Sequence, residues 1–270
     1  MLALCLSIVD VGLLTTLELR RGDRADRRLN LQVWALGFGP RAVLVPLVAL
    51  WPSSSLLDSS KLPFVAGFAV YLIVMDFGEY LFHRAQHAIP ALWTLHSLHH
   101  SDEAMNATST ERHFWADPLL KAITIWPVAV LIVAPTPAIL LAYLLVSLWN
   151  YLVHSSLPFS FGRFSWLLNS SAYHRRHHSS LPEHFNSNYA ALFPVWDVLF
   201  GAYHRPSGFP RTGLETAPRN IVDAAIWPVL AARTGAVRPT EAFVSPAAVA
   251  THRGIRTLNF LDSTEGQDAR

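Results

Sequence analysis

The spacing of the histidines is the feature that most constrains the fold of this chain. Two segments read H-x-x-H-H, at 96–100 and 174–178, and two others place a pair of polar residues four apart, at 83–87 and 150–154. On an α-helix, residues i, i+3 and i+4 share one face. The spacing therefore predicts four helical segments, each of which aims two or three side chains at one point. The nine histidines placed in this way are His83, His87, His96, His99, His100, His154, His174, His177 and His178.

Imidazoles grouped in this way indicate a metal centre. Neutral imidazole is a ligand for Fe, Zn, Cu and Ni. Nine such groups are too many for one ion and suit two ions with about four or five ligands each. A histidine outside these groups is more often an ordinary polar residue, and we assign that role to His204 and His252. The roles of His113 and His184 stay open at this point.

The composition is that of a membrane protein. Hydrophobic residues make up 51% of the chain and charged residues only 15%, and there are nine Trp. The net charge is +2 and no basic stripe with interleaved aromatics is present, so no nucleic-acid partner is expected. The single cysteine, Cys5, excludes an internal disulfide and an iron–sulfur cluster held by this chain. The N-terminus has no basic segment before its apolar run, so we expect no cleaved signal peptide.

The apolar segments predict an all-α integral-membrane bundle with a histidine-rich helical cap. Residues 63–82 have the length of a membrane-spanning helix. Residues 122–153 carry no charged side chain, and these 32 positions are too many for one span. If His154 shares a site with the earlier histidines, this stretch must leave and return on one side. We therefore expect a hairpin with arms near 118–134 and 137–153, turning at its prolines.

Three parts are expected along the chain. Residues 1–62 would form N-terminal membrane helices, 63–218 the catalytic domain, and 219–270 an interfacial helix and a tail. The loop 18–30 is rich in arginine, and the loop 52–62 is nearly uncharged. The positive-inside rule then predicts a multi-pass protein whose histidine side faces the cytoplasm.

Several side chains next to the histidines have two plausible roles. Asp76 and Glu79 come just before the first histidine pair, where a carboxylate commonly orients a ligand histidine by accepting its second N–H. The alternative is that both acids mark the membrane edge. Phe82, Trp149 and Tyr151 also adjoin the histidines, and they would either line a substrate path or pack at the membrane edge.

These motifs together resemble the fatty acid hydroxylase and sterol desaturase superfamily of integral-membrane di-iron enzymes. The resemblance runs from about Asp76 to Tyr203, and the order and spacing of its elements are specific. Its last element resembles the family's Asn-Tyr-Gly followed by Trp-Asp-x-Leu-Phe-Gly-Thr. The elements are HRAQH at 83–87, LHSLHHS at 95–101, NYLVHSSL at 150–157, YHRRHHS at 173–179 and NSNYAALFPVWDVLFGAYH at 186–204.

The resemblance implies a di-iron enzyme at the cytoplasmic face of the membrane that uses O₂ and two electrons to hydroxylate or desaturate a lipid. All nine grouped histidines stand at the family's ligand positions. Asn150 stands where some members have a histidine, and it would bind a metal directly, act through water or only orient His154. Arg112 and His113 are adjacent with no proline after them, unlike the family's usual element, and Ala190 replaces a glycine.

Two further expectations concern partners and the competing function. The chain has no haem-binding His-Pro-Gly-Gly, no Gly-x-Gly-x-x-Gly and no cysteine cluster, so an external electron donor is implied. The alternative function is a membrane metal transporter or metal-binding protein. Transporters place their ligands near the bilayer midplane, whereas these histidines fall at span ends and in the polar region beyond, which favours an enzyme.

Overall fold

Helices account for all the regular elements that the structure describes. The computed structural model describes residues 2–23, 25, 27–40, 54–58, 61–134 and 136–234. Within them the extended pairings are two isolated bridges, so the all-α prediction is confirmed. The α-helices are α1 (Leu2–Arg20), α2 (Arg28–Leu36), α3 (Phe64–Ala88), α4 (Pro90–His100), α5 (Asp117–Ile123), α6 (Ile125–Ile132), α7 (Pro137–His154), α8 (Ser171–His177), α9 (Val195–Leu199), α10 (Ile221–Ala225) and α11 (Trp227–Thr234), and the 3₁₀ helices are Ala107–Glu111, Gly162–Phe164 and Pro182–His184.

Helix α3 is the central element of the fold. It is the one described helix that is long and apolar enough to cross a membrane, while Leu144–His154 within α7 is a shorter apolar stretch. Its 25 residues extend beyond the predicted span 63–82 and carry the first histidine pair on the final turns. The helix ends because Pro90, which starts α4, holds Ile89 in an extended conformation. Helix α4 therefore folds back against α3 and brings the second group of histidines to its end.

The stretch predicted to span the membrane near 118–134 is divided between two short helices, and its membrane span stays a prediction. These helices, α5 and α6, are separated at Thr124, whose φ is −117° and ψ is −83°. The hydroxyl of Thr124 donates to the carbonyl of Leu120 at 2.6 Å, and Pro127 falls in the first turn of α6. A proline is tolerated in a first turn because no intrahelical partner exists there for its missing N–H. The break before α7 falls where the proline-rich stretch predicted it, between Ile132 and Pro137.

The N-terminal helices pack against the histidine-bearing region. Glu18 is fully buried and accepts the main-chain N–H groups of Ala107 at 2.9 Å and Ser156 at 2.7 Å. The amide of Asn30 on α2 donates to the carboxylate of Asp102 at 2.8 Å. The arginine-rich stretch predicted to share a side with the histidines therefore contacts that region directly.

Helices α10 and α11 occupy the stretch predicted to be one interfacial helix at 219–233. Trp227 is buried, and its indole N–H donates to the hydroxyl of Ser97 on α4 at 2.9 Å. Val222 and Val229 are exposed. The interfacial role and the domain boundaries at 62 and 218 stay predictions. Two parts of these predictions lie outside the described residues: the tail after 234, and residues 41–53 and 59–60 of the predicted N-terminal membrane helices.

A strap at residues 212–213 holds the turn that follows α4. The hydroxyl of Thr212 donates to the carbonyl of Asp102 at 2.8 Å. Gly213 has a φ of +105°, and a Cβ there would lie 2.9 Å from the Cα of Glu103. Glycine is required at this position both by its backbone conformation and by the close approach of the next segment.

We expect Gly213→Ala to destabilise the protein by about 1–3 kcal/mol, because alanine strains a left-handed residue and meets the main chain of Glu103. The measurement is the midpoint of thermal unfolding in detergent. Gly208→Ala is the matched control, because Gly208 also has a positive φ, +72°, but open space at its Cβ. Equal losses in the two variants would show that the contact with Glu103 has no role.

Candidate metal centre

The nine grouped histidines converge at one place. They form two neighbouring sets, and within each set one ring nitrogen per residue lies within 4.8 Å of the others. Eight of the nine side chains are buried, and His83 is partly buried. The five-histidine group is His83, His87, His96, His100 and His177, and the four-histidine group is His99, His154, His174 and His178.

The ends of four helices supply these side chains. The last turns of α3, α4 and α7 and the whole of α8 point at the same centre, and His178 follows α8 directly. The short helix α8 is started by Ser170, whose hydroxyl accepts the main-chain N–H of Tyr173. Such an N-cap contributes about 1 kcal/mol and fixes where the helix begins, which sets the direction of its two histidines and of His178 after it.

The distances between ring nitrogens fit metal ligands. In the five-histidine group, Nε2 of His100 lies 3.2 Å from Nε2 of both His87 and His96. In the four-histidine group, Nε2 of His174 lies 3.0 Å from that of His154 and 3.2 Å from that of His178. A metal bound to imidazole at about 2.0–2.1 Å separates neighbouring ligand nitrogens by roughly 2.8–3.4 Å, because those are the edges of an octahedron or tetrahedron of that size.

Without a cation this arrangement is unfavourable. Three nitrogens in a row at 3.0–3.2 Å, as at His154, His174 and His178, cannot each be matched with a proton donor when every imidazole is neutral. The Nε2 atoms of His83 and His177 are buried and have no hydrogen-bond partner among the described residues. Unpaired buried nitrogens are costly, and a shared ion satisfies them. The donor set therefore fits two metal ions.

Main-chain carbonyls fix the orientation of three of the rings. The carbonyl oxygens of Tyr189, Ser187 and Asn150 lie 2.7–2.8 Å from Nδ1 of His83, His177 and His154 respectively. A carbonyl can only accept, so Nδ1 carries the proton in each ring. Nε2 is then left with its lone pair facing the centre, which is the tautomer that a metal requires.

Burial keeps these rings neutral. Desolvation is the largest cause of the lowered pKa of the histidines on α4 and α8, because charging a ring in this interior costs its hydration. The same effect lowers the pKa of His177 to about 4. A ligand histidine must be deprotonated at the binding nitrogen, so the site is poised for metal near neutral pH.

A loop that the spacing of the histidines did not single out orients much of the five-histidine group. Residues 186–190, the orienting loop, supply the two carbonyls that bind His83 and His177, and the side chain of Asn186 hydrogen-bonds to His87. Asn186 and Asn188 have φ of +54° and +61°. Asparagine tolerates this left-handed conformation better than most residues, which is the local reason for the Asn-x-Asn sequence.

Two buried carboxylates hold the orienting loop and its continuation. Asp197 accepts the main-chain N–H groups of Tyr189 and Ala190, both at 2.9 Å, and the hydroxyl of Tyr173. Asp76 accepts the main-chain N–H of Leu192 at 2.8 Å, among other donors. In the sequence, Asp197 belongs to the Trp-Asp element of the resemblance, and that element was the one available signal for its role.

Asp76 and Glu79 have partners other than the histidines. Both were expected to accept N–H groups from the neighbouring histidines or to mark the membrane edge, and the choice between these roles stays a prediction. Asp76 accepts the indole N–H of Trp196 at 2.7 Å in addition to main-chain N–H groups. Glu79 forms an ion pair with Lys121 at 2.8 Å. Asp76 therefore anchors the segment that continues from the orienting loop.

The uncertain residues near the centre are now placed. Asn150 contributes its main-chain carbonyl to His154, and the role of its side chain among the three left open stays a prediction. His113 stacks on His99 with ring centroids 4.1 Å apart, and its Nδ1 lies 3.6 Å from the carboxylate of Asp117. His184 lies outside both groups and hydrogen-bonds to Ser179 at 2.9 Å.

An apolar groove of about 480 Å³ lies between α3 and α6. Its wall on α3 includes Gly78 and Leu81, which lie on a different face of that helix from the histidine pair at 83–87. Trp196 closes one side of the groove and is the same indole that donates to Asp76. The groove therefore meets the segment that continues from the orienting loop.

The aromatic residues next to the histidines have other partners. The hydroxyl of Tyr151 donates to Glu111 at 2.5 Å, and Trp149 stacks with Phe161 at 6.4 Å. Phe82 is buried beside the ammonium group of Lys121, 5.9 Å from its ring centroid. Their proposed part in a substrate path stays a prediction.

Comparison with known proteins agrees with this site. The sequence model of the family described as Fatty acid hydroxylase matches residues 68–202, half of the chain. The chain is 33% identical to the alkylglycerol monooxygenase of Xenopus tropicalis over 129 residues, which are 48% of this chain and 28% of that protein. It is 30% identical to the ornithine lipid hydroxylase OlsE of Rhizobium tropici over 135 residues, 50% of this chain and 41% of that protein.

A third relative is, by its name, a desaturase. Identity with the Delta(7)-sterol 5(6)-desaturase of Eremothecium gossypii is 26% over 158 residues, 58% of this chain and 41% of that protein. The chain matches well under half the length of these curated relatives. No solved structure matches the chain. These comparisons give no support to the transporter alternative.

The metal-free protein should lose stability as the pH falls below about 6.5. Histidines in the unfolded chain take up protons from that pH downward, whereas His177 in the folded chain does so only near 4. Between these values the unfolded state binds more protons, so the free energy of unfolding falls by about 1.4 kcal/mol per pH unit for each fully shifted histidine. Thermal unfolding of chelator-treated protein from about pH 7.5 to 5 measures this slope.

A control variant separates this effect from general acid sensitivity. His204→Ala removes an exposed histidine outside both groups and should retain most of the slope, because the buried rings that cause it remain. A free energy of unfolding that stays constant down to pH 5 would contradict the buried neutral state of the histidines.

Proposed function

Because the chain belongs to the fatty acid hydroxylase family, we propose that it is a membrane-bound di-iron oxygenase that hydroxylates or desaturates a lipid with O₂. The observation that carries this proposal is the convergence of nine buried imidazoles into groups of five and four at the end of an apolar helix. The number and the spacing of the nitrogens suit two neighbouring ions.

The two groups would each hold one iron ion. The family is iron-dependent, and imidazole is a suitable ligand for iron. When bound, the two ions supply the redox chemistry that reduces O₂ and breaks an unactivated C–H bond. The protein would contribute three things from its own residues: fixed ring tautomers, buried walls that exclude water, and helix ends that hold the two groups side by side.

Ring orientation would be the main contribution of the chain to the chemistry. The carbonyls bound to His83, His154 and His177 hold the Nδ1 protons away from the centre. Each Nε2 lone pair is thereby aimed inward before a metal arrives, so little reorganisation is needed on binding. The stacking of His113 on His99 adds a restraint on a ring of the four-histidine group.

The substrate class follows from the relatives and from the surface. Three relatives act, by their names, on an alkylglycerol, an ornithine lipid and a sterol, all of which are greasy molecules of the bilayer. The exposed apolar side chains of α1 and α3, such as Val9, Leu13 and Val65, suit contact with lipid. A lipid that reaches the centre from the bilayer is therefore the substrate class that we propose.

The proposed membrane arrangement is multi-pass with the metal centre at the cytoplasmic face. Arginines follow α1, and the buried contacts of Glu18 and Asn30 join this stretch to the histidine-bearing region. The positive-inside rule assigns that side to the cytoplasm. An electron donor outside the chain would complete the reaction, because reduction of O₂ with oxidation of one C–H bond takes two further electrons in a hydroxylation.

Metal content tests the proposal first. We expect the purified chain, reconstituted with Fe²⁺ under argon, to hold about two iron ions. His99→Ala should lower this number and abolish turnover, because the ring is buried within the four-histidine group. His204→Ala is the matched control, since its side chain is exposed and outside both groups. Iron content by elemental analysis that is zero in the unmodified chain would overturn the proposal.

Product analysis tests the reaction. Cells that express the chain should accumulate hydroxylated or desaturated lipids that are absent from cells expressing His99→Ala at the same level. Lipid mass spectrometry with ¹⁸O₂ should show the label in the product of a hydroxylation. Identical lipid profiles in the two cell lines would contradict an oxygenase acting on lipids.

A further inference from the structure

The orienting loop lies between the five-histidine group and a buried carboxylate. On one side it presents the carbonyls of Ser187 and Tyr189 to His177 and His83. On the other side the main-chain N–H of Tyr189 donates to Asp197 at 2.9 Å. One residue, Tyr189, therefore connects the carboxylate directly to a histidine of the group.

The loop holds a conformation that needs external restraint. Asn186 and Asn188 both have positive φ, and a run of such residues is unfavourable for an isolated chain. The side chain of Asn188 pairs with both the N–H and the carbonyl of His204, at 2.7 and 2.9 Å. Asn169 donates to the carbonyl of Ala190 at 3.1 Å. Asn188 thus holds the middle of the loop, and the main-chain N–H groups of its last two residues, Tyr189 and Ala190, are left to Asp197.

Asp197 can restrain the loop only as an ionised carboxylate. It is fully buried and accepts three donors, the N–H groups of Tyr189 and Ala190 and the hydroxyl of Tyr173. Tyr173 is the residue next to His174 at the start of α8. The same carboxylate thus ties the orienting loop to the helix that carries His177. A neutral amide of the same shape would present N–H groups to donors and could not accept all three.

We infer that Asp197 is a positioning residue for the five-histidine group: it fixes the orienting loop so that the rings of His83 and His177 aim their Nε2 atoms at one ion. The inference rests on the proposed function, because it assumes that the group binds metal. It deepens that function by assigning an asymmetry. The carbonyls of the orienting loop bond to rings of the five-histidine group, whereas the ring of His154 in the four-histidine group is oriented by Asn150 within its own helix, α7. The bond from Tyr173 to Asp197 serves both groups, because α8 carries His174 as well as His177.

The experiment measures metal binding to each group separately. His100 and His174 each hold the ring nitrogen at the centre of their own group, so His100→Ala leaves only the four-histidine group intact and His174→Ala leaves only the five-histidine group. Asp197→Asn is introduced into each background. Fe²⁺ alone is titrated under argon, in competition with a chromophoric chelator, and no activity is needed for the readout.

The expected result is selective. In the His174→Ala background, Asp197→Asn should weaken Fe²⁺ binding by about 10–100-fold, the usual effect of removing a group that orients a ligand. In the His100→Ala background it should change binding by less than about threefold. Tyr173→Phe removes the bond to α8 and leaves the loop amides bonded to Asp197, so in the His174→Ala background it should give a smaller loss than Asp197→Asn does.

A control variant excludes general destabilisation. Glu18→Gln also alters a fully buried carboxylate that accepts two main-chain N–H groups, those of Ala107 and Ser156, but it does not contact the orienting loop. It should lower the unfolding temperature without weakening the five-histidine group. Circular dichroism of the metal-free variants checks that each is folded. If Asp197→Asn is not, Asn188→Gly carries the test of the loop with the same expected selectivity, because it keeps the positive φ and removes the side-chain bonds to His204.

Three outcomes would overturn the inference. Equal weakening of both groups would make Asp197 a general structural residue. Unchanged Fe²⁺ binding in the His174→Ala background would show that the loop needs no such restraint. Absence of Fe²⁺ binding in the unmodified chain would overturn the proposed function as well, and this result is distinguishable because it appears before any substitution at Asp197.

Discussion

The buried packing of nine neutral imidazoles is the constraint on which the rest of the structure depends. Ring nitrogens 3.0–3.2 Å apart in an interior without counter-charges are unfavourable by themselves and favourable around cations. Each ring must therefore be neutral, in one tautomer, and correctly aimed. The carbonyls that accept the Nδ1 protons of His83, His154 and His177 meet all three requirements at once. Main-chain oxygens thus orient the rings of three of the nine histidines.

Buried carboxylates do the corresponding work in the scaffold. Four buried carboxylates accept hydrogen bonds from other segments of the chain. Three of them, Glu18, Asp76 and Asp197, each accept two main-chain N–H groups, and Asp102 accepts the side-chain amide of Asn30. Loops that carry function need restraint because they lack the repeating bonds of a helix. A carboxylate restrains several N–H groups through one side chain. The chain has few charged residues, and several of its carboxylates lie where they hold such loops.

The helices and the centre were predictable to different degrees. The histidine groups at 83–87, 96–100 and 174–178 lie where their spacing predicted helices, because i, i+3 and i+4 spacing is a local property of one helix. The division of the stretch 118–134 into two helices was not predictable in the same way, because hydropathy does not detect a break between two apolar helices. Pro127 lies in the first turn of the second of them. Asp76 was close to the histidines in sequence, yet its acceptor atoms face a segment more than a hundred residues later.

The sequence by itself determined which nine histidines group together, the helices that carry them and the family, because these depend on residue identity and short-range spacing. Only the tertiary structure decided how nine histidines divide into five and four, since that division depends on which helix ends meet. His99 and His100 are adjacent in the chain and belong to different groups, because consecutive residues on a helix point about 100° apart. The dependence of His83 and His177 on a distant carboxylate was likewise decided by the fold, which places the orienting loop between them and Asp197.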